Sequence, residues 1–170
     1  NKRSDAYGGS MENRCRFAIE VAQKVVEAIG GERTAILLSP YGAFNDMEVL
    51  DGLEETYQYL EEELGKLNLI YIHIVDHSSM GAPEVTDSVK SKIKTAFGNA
   101  LIASGGYDQP KAEKALEENK GDLVAFGRPF IANPDLVHRM ENKIELNIPD
   151  FDTFYTPGEK VYTDYPLSNA

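Results

Sequence analysis

Apolar residues along the chain follow two patterns, one typical of helices and one typical of buried strands. Ser10 is a residue type that caps helix N-termini, and after it apolar positions recur every three to four residues until Gly30 and Gly31. This spacing predicts an amphipathic helix that the two glycines end. Its apolar stripe runs through Phe17, Val21, Val25 and Ile29, and is widened by Ile19, Ala22, Val26 and Ala28.

Four short apolar runs then alternate with further segments of helical spacing. Each run is apolar at nearly every position, which is typical of strands buried on both faces of a parallel sheet with helices outside. The sequence therefore predicts an α/β fold with four parallel strands. The predicted strands span residues 34–39, 69–75, 100–103 and 123–126, and the later helices span 53–67, 86–96, 110–119 and 134–141.

The chain length limits how many strand–helix units can be present. A complete (β/α)8 barrel takes about 250 residues, so each unit needs roughly 30. The chain has 170 residues, which is enough for about four units and a tail. These elements fit half of a TIM barrel or a complete small doubly wound sheet, and spacing alone leaves both open.

The charge of the chain narrows the choice of partners. Lys and Arg total 17 against 28 Asp and Glu, which gives a formal net charge of −11. Nucleic acids and anionic lipid surfaces attract clustered cations, so we expect neither as a partner. No apolar run approaches the roughly 18 residues of a membrane span. The first residues also lack the apolar core of a secretory signal.

The cysteine and histidine residues limit which disulfides, catalytic sites and metal centres we expect. Cys15 is the one cysteine, so an internal disulfide is excluded, and a single thiol favours a reducing, cytoplasmic location. His73 lies within an apolar run, where a histidine is more often a hydrogen-bonded core residue than a catalyst. His77 follows that run and is better placed to meet a substrate. No Glu-x-x-His motif accompanies them, and we expect no metal centre.

Two glycine-bearing turns follow the third and fourth predicted strands. Gly105 and Gly106 come after the third strand, and Gly127 and Arg128 come after the fourth. In α/β proteins this carboxyl end is where ligands bind, and the last two loops of a barrel commonly hold phosphate. Glycine lets backbone N–H groups approach an anion, and arginine adds a forked charged contact. Alternatively, the glycines serve only the turns and Arg128 pairs with a surface carboxylate.

Two further segments admit more than one interpretation. The loop after the first strand carries Phe44 and Asn45, which could cover a flat aromatic ligand or simply fill the loop's own small core. The run of three glutamates at residues 61–63 is expected to lie on a solvated helix face.

Several motifs in this sequence resemble those of the Old Yellow Enzyme family of FMN-dependent ene-reductases. They occur in the family's order and cover nearly the whole chain, which makes the resemblance specific. The matching stretches are NxRxDxYGGSxxNRxRF at residues 1–17, LSPYGxFN at 38–45, FGRPFIANPDLV at 126–137, TFY at 153–155 and YTDYP at 162–166.

The resemblance implies a TIM barrel that holds FMN noncovalently. In such enzymes NAD(P)H gives a hydride to the flavin, which passes it to the β-carbon of an activated alkene. By position, the residues that carry over are Gly105, Gly106, Gly127 and Arg128 for the FMN phosphate, Tyr155 near the flavin and substrate, and Phe44 and Asn45 on the substrate-side loop.

The resemblance covers only the C-terminal half of the family's barrel. It implies that residues 1–170 form βα units 5–8, with 142–170 as an irregular tail. The family's substrate-activating His-x-x-Asn or His-x-x-His pair and its proton-donating tyrosine belong to the other half, so the resemblance implies no catalytic residue in this chain. Leu37 stands where the family usually has an arginine that reaches the pyrimidine edge of the flavin.

A half barrel leaves two sheet edges and one apolar face without partners. We therefore expect the chain to pair with a second copy of itself or with a chain that supplies the other half. One alternative is a noncatalytic, excised or engineered half-barrel that self-associates. Another is an unrelated phosphate-binding lyase or isomerase, which ranks last because no lysine lies within the four predicted strands.

Overall fold

The computed structural model describes residues 1–43, 47–49 and 51–168. The chain divides into two compact units, Asn1–Ala125 and Phe126–Ala170. The described elements of the first unit are β1 Ala35–Leu38, β2 Tyr71–Val75, β3 Ala100–Ser104, β4 Leu123–Ala125, α1 Met11–Ile29, α2 Leu53–Gly65, α3 Asp87–Phe97 and α4 Gln109–Glu117; those of the second are α5 Arg128–Ala132 and α6 Leu136–Glu141.

The four strands form one parallel sheet in the order β1-β2-β3-β4. Their register aligns Leu37 with His73, His73 with Ile102, and Ile102 with Leu123, so these side chains share one face. Strands and helices alternate along the chain, and each strand pairs with the next one in sequence. The predicted α/β class with four parallel strands is therefore confirmed.

Local residue chemistry fixes where the helices begin and end. The side chains of Ser10, Thr86 and Asp108 cap α1, α3 and α4 by accepting a backbone N–H from the first turn. Gly30, with φ of +90°, ends α1 as predicted. The short helix α5 was not predicted, although Pro129 in its first turn is a residue that favours helix starts.

One face of the sheet is covered by helices and forms the core of the first unit. A cluster of apolar side chains fills the space between the central strands and the helices packed on them. It excludes water from both, so this cluster holds the buried apolar side chains of the unit's core. Its buried members are Cys15 and Ala22 on α1, Leu60 and Leu64 on α2, Val89, Ile93 and Phe97 on α3, Ile72 and Ile74 on β2, Leu101 and Ala103 on β3, with Leu69 and Val85 from the connections.

The opposite face of the sheet, which we call the inner face, is only partly covered. Leu37 on β1 and Leu123 on β4 each keep 55% of their surface exposed. His73, Ile102 and Ser104 lie between them and are half-buried. The expectation that each strand is buried on both faces is thus wrong for the chain by itself, while the bare apolar face expected of a half barrel is observed.

Helix α1 buries only part of the apolar stripe predicted for it. Phe17 is 66% exposed, and Val21, Val25 and Ile29 are exposed as well. The side that packs on the core includes Ala22, Ile19 and Val26 from the predicted stripe, together with Cys15. Helix α1 is therefore apolar on two adjacent sides, and only one of them is covered. We refer to Phe17, Val21, Val25 and Ile29 as the α1 stripe.

The glutamate run on α2 is not uniformly solvated. Glu62 is exposed as expected, but Glu61 is fully buried, and within the described residues neither of its carboxylate oxygens has a hydrogen-bond partner. Burial raises the pKa of Glu61 to about 9, because a charged carboxylate is poorly tolerated without water or a cation. Burial of the Tyr57 hydroxyl, together with the nearby carboxylate of Glu61, raises the pKa of Tyr57 to about 12.

Candidate functional site

The turn after β3 has the geometry of an anion-binding loop. Gly105 and Gly106 have φ of +114° and +67°, a region that residues with a Cβ rarely adopt. A Cβ on Gly105 would overlap the carbonyl oxygen of Asp76, so only glycine fits there. Within the described part of the chain, the N–H groups of both glycines have no acceptor. Two free N–H groups in such a turn are suited to a phosphate.

A buried ion pair lies directly beside this turn. The carboxylate of Asp76 accepts hydrogen bonds from the N–H of Ser78 at 2.9 Å and of Val85 at 3.2 Å. It also lies 3.3 Å from the Nζ of Lys90 on α3. The side chains of Lys90 and Asp76 are only 8% and 4% exposed. At the carboxyl end of β2, both carboxylate oxygens of Asp76 are therefore hydrogen-bonded. The sequence patterns did not single out this residue.

A cleft of about 500 Å³ reaches the glycine turn and is lined by several lysines, including Lys111 and Lys120. Most of this positive charge is already paired. Lys120 lies 2.5 Å from Asp87 and 2.7 Å from Glu118, and these contacts raise its pKa. The free anion-binding capacity of this region therefore lies in the N–H groups of the turn rather than in the lysines.

Both histidines of β2 and its following turn are hydrogen-bonded to serines. Nε2 of His73 lies 2.9 Å from the Oγ of Ser104, which itself donates to the carbonyl of Ile74 at 3.3 Å. Because the Ser104 hydroxyl donates its proton to Ile74, the tautomer that fits has His73 donating from Nε2 to Ser104. Burial lowers the pKa of His73. His73 is hydrogen-bonded as predicted, but it lies half-buried on the inner face and not in the core cluster. Nε2 of His77 lies 3.3 Å from the Oγ of Ser39.

The remaining predicted cofactor residues lie in the second unit. Gly127 precedes α5, and open space surrounds the position of its missing Cβ. The guanidinium of Arg128 lies over the ring of Phe151, 5.9 Å from its centroid. No carboxylate among the described residues forms an ion pair with Arg128, so it does not make the surface pair considered as an alternative. Tyr155 is 96% exposed.

Within each unit, the predicted site residues that lie together are neighbours in the sequence. Gly105 and Gly106 share one turn, and Gly127 and Arg128 form the start of α5. Phe44 and Asn45 lie outside the described residues. Sequence reasoning missed Asp76 and Lys90, although an acidic residue immediately after an apolar strand was a usable signal for the first of them.

The chain is thus a parallel α/β protein with a glycine turn of suitable geometry for an anion at the carboxyl end of its sheet. The sequence profile of the NADH:flavin oxidoreductase / NADH oxidase family matches residues 1–147. The chain belongs to this family, whose members depend on FMN and take hydride from NAD(P)H.

Relatives of known name support the same assignment. The chain is 42% identical over 176 residues to a chanoclavine-I aldehyde reductase of Penicillium roqueforti, covering 99% of this chain and 47% of that protein. It is 39% identical over 165 residues to a 12-oxophytodienoate reductase-like protein of Solanum lycopersicum, covering 96% of this chain and 44% of the relative. The chain thus spans about half the length of the curated relatives it matches.

Solved structures match equally well. Morphinone reductase superposes with a TM-score of 0.92 at 40% identity, covering 98% of this chain and 45% of that one. An Old Yellow Enzyme homologue from Zymomonas mobilis superposes with a TM-score of 0.90 at 34% identity, covering 98% and 47%. Morphinone reductase has also been solved in complex with tetrahydroNAD.

Proposed function

We propose that this chain supplies the FMN-phosphate half of an NAD(P)H-dependent ene-reductase site. One observation carries the proposal: the Gly105–Gly106 turn has two left-handed residues and two N–H groups with no acceptor among the described residues. Backbone N–H groups in this arrangement bind phosphate without a large positive potential, which suits a chain of net charge −11. Family membership makes FMN the expected phosphate ligand.

The residues of this chain would bind and orient the cofactor. Gly105 and Gly106 would donate N–H hydrogen bonds to phosphate oxygens. Gly127 and Arg128 remain predicted FMN contacts of the second unit, where Arg128 has no carboxylate partner among the described residues and keeps its donors for an anion. Tyr155 and, on the substrate side, Phe44 and Asn45 remain predicted contacts of the flavin and substrate. When bound, FMN would accept hydride from NAD(P)H and deliver it to an activated alkene.

Flavin binding tests this proposal most simply when FMN is compared with riboflavin, which lacks the phosphate. We expect FMN to bind at least about tenfold more tightly, because only FMN engages the turn. Gly105→Ala should abolish that preference by forcing the turn away from the carbonyl of Asp76. Gly98→Ala is the matched control, since Gly98 also has a positive φ of +79° but lies in open space at the end of α3.

The measurement is flavin fluorescence quenching or calorimetry, on the chain alone and on the chain mixed with a complementary half from a relative. Equal affinity for FMN and riboflavin, or loss of the preference in Gly98→Ala as well, would contradict the phosphate-binding role.

We further propose that a second copy of the chain, or a chain carrying the other half of the barrel, covers the surfaces left bare. The α1 stripe and Leu37 are large apolar surfaces exposed to solvent. In addition, β1 pairs with β2 alone among the described strands, which leaves its other edge free for a further strand. A partner that offers both a strand and an apolar helix side could cover the open edge of β1 and the α1 stripe.

Val21→Lys on the α1 stripe tests this association. The substitution should weaken assembly by about tenfold or more, because a charge would be buried in an apolar contact. The unfolding free energy of the chain should change by less than about 0.5 kcal/mol, since Val21 is already exposed. Gln23→Lys, exposed on the same helix and with the same change in charge, should assemble normally. Sedimentation equilibrium with equal masses for all three proteins would refute the interface.

A second candidate function is a noncatalytic half-barrel that only self-associates. Leu37 favours it, because leucine on the inner face cannot stabilise negative charge on a reduced flavin. Assembly without FMN binding, in the presence and absence of a complementary half, would select this alternative. In either case we propose a cytoplasmic location, supported by the single, buried Cys15. Among the described helices, none is both long and apolar enough to span a bilayer.

A further inference from the structure

We propose that Asp76 and Lys90 are positioning residues that hold the Gly105–Gly106 turn in its phosphate-binding conformation. This inference rests on the proposed function, since it assigns a role in FMN binding to residues that do not themselves contact the phosphate. It concerns residues 76, 90, 105 and 106, all within the first unit.

The backbone of Asp76 sets the position of the turn. Its N–H donates to the carbonyl of Ser104 at 3.0 Å, which extends the pairing of β2 and β3 by one residue. A Cβ on Gly105 would lie only 2.1 Å from the carbonyl oxygen of Asp76, because the turn packs directly on the Asp76 peptide. Any movement of Asp76 therefore moves the first glycine of the turn.

The side chain of Asp76 fixes that backbone from the other side. One carboxylate oxygen accepts the Ser78 N–H, and the other accepts the Val85 N–H and the ammonium of Lys90. These contacts join the end of β2 to the connection that follows it and to α3. Because both charged groups are almost completely buried, the contacts are shielded from water and salt.

Stability alone does not account for a buried ion pair at this place. Replacing both members of such a pair by apolar residues is often neutral or stabilising, whereas removing one member is costly. An apolar pair could fill the same space but could not accept the N–H groups of Ser78 and Val85. The specific contribution of the pair is thus the fixed position of residue 76, on which Gly105 packs.

Three variants test the inference. Lys90→Met and Asp76→Asn should each raise the dissociation constant for FMN by about tenfold while leaving that for riboflavin unchanged. Lys90→Arg, which keeps the charge, should retain most of the FMN preference. Backbone 15N relaxation supplies a readout without any flavin: the heteronuclear NOE of Gly105 and Gly106 should fall in the first two variants.

An equally buried ion pair in the second unit provides the matched control. Arg139 and Asp135 lie 2.7 Å apart, with side chains 6% and 13% exposed. Asp135→Asn should lower thermal stability as Asp76→Asn does, but it should leave the preference for FMN over riboflavin intact. A general loss of stability would instead reduce both flavins' binding in both variants.

The double variant Asp76→Leu/Lys90→Met separates positioning from folding. We expect it to recover the thermal stability that the single variants lose by leaving one buried group unpaired, but not the part that depends on the Ser78 and Val85 hydrogen bonds, while the NOE values of Gly105 and Gly106 stay low. Unchanged NOE values in all these variants would overturn the inference. So would a full FMN preference in Asp76→Asn. If the wild-type chain itself fails to prefer FMN, the proposed function fails instead, and the relaxation data still decide whether the pair orders the turn.

Discussion

Both faces of the four-stranded sheet carry apolar side chains, but the two faces differ in what covers them. On the helix side Ile72, Ile74 and Leu101 are fully buried, whereas Leu37 and Leu123 on the inner face are more than half exposed. Contiguous exposed apolar surfaces beyond a few hundred Å² are normally contact surfaces or aggregation hazards. Both faces carry large apolar side chains, but the chain by itself buries only those on the helix side.

The largest expected effect comes from deleting apolar volume on the two faces. Leu101→Ala on the helix side should lower the unfolding free energy by about 3 kcal/mol, because it leaves a cavity in the core. Leu37→Ala on the inner face should cost less than about 1 kcal/mol in the isolated chain, since the side chain is already half in water. Urea unfolding measures both, and equal losses would contradict the difference between the faces.

A smaller effect concerns Glu61, the buried polar exception on the helix side. Its pKa is about 9 in the folded chain, against 4.5 for an ordinary glutamate. Between these values the unfolded chain releases a proton that the folded chain keeps, so stability should fall as pH rises from 4.5 towards 9. Glu61→Gln removes this proton linkage and should stabilise the chain by about 2 kcal/mol at pH 8.

Unfolding curves at pH 5 and pH 8 measure the effect of Glu61. The exposed Glu62→Gln serves as the control and should change stability by less than about 0.5 kcal/mol at either pH. A Glu61→Gln variant with the same pH slope as the wild type would show that Glu61 is charged in the folded chain.

The smallest effect concerns the inner face in the flavin-bound assembly, and it depends on the proposed function. Leu37→Arg would place a cation where the family usually has one. It should raise the midpoint potential of bound flavin by about 30 mV, equivalent to 1.4 kcal/mol for two electrons. Leu37→Met is the uncharged control. A potential that is the same in both variants would place residue 37 away from the flavin ring.

Sequence patterns predicted the elements better than they predicted burial. The four strands, the cap at Ser10 and the glycine stop of α1 are local signals, and the structure contains each of them. The spacing of Phe17 and Val21 shows that α1 is apolar there, but periodicity cannot tell which of two apolar sides the chain itself covers. That depends on which other strands and helices are present.

The candidate site was predictable where its chemistry is local and not where it depends on distant contacts. A glycine pair after an apolar strand indicates a phosphate turn without knowledge of the fold. The pairing of Asp76 with Lys90 joins residues of different elements, and no spacing rule predicts it. The burial of Glu61 beside two exposed or half-exposed glutamates likewise follows from the packing of α2 rather than from its sequence.

Native mass spectrometry with added FMN tests the central claim most directly, because it reports the mass of the assembly and its flavin content together. The protein is purified without denaturation and sprayed with FMN, alone and after mixing with a complementary half. We expect an assembly heavier than the 18.8 kDa chain that carries FMN. A single 18.8 kDa species without flavin under both conditions would contradict the account.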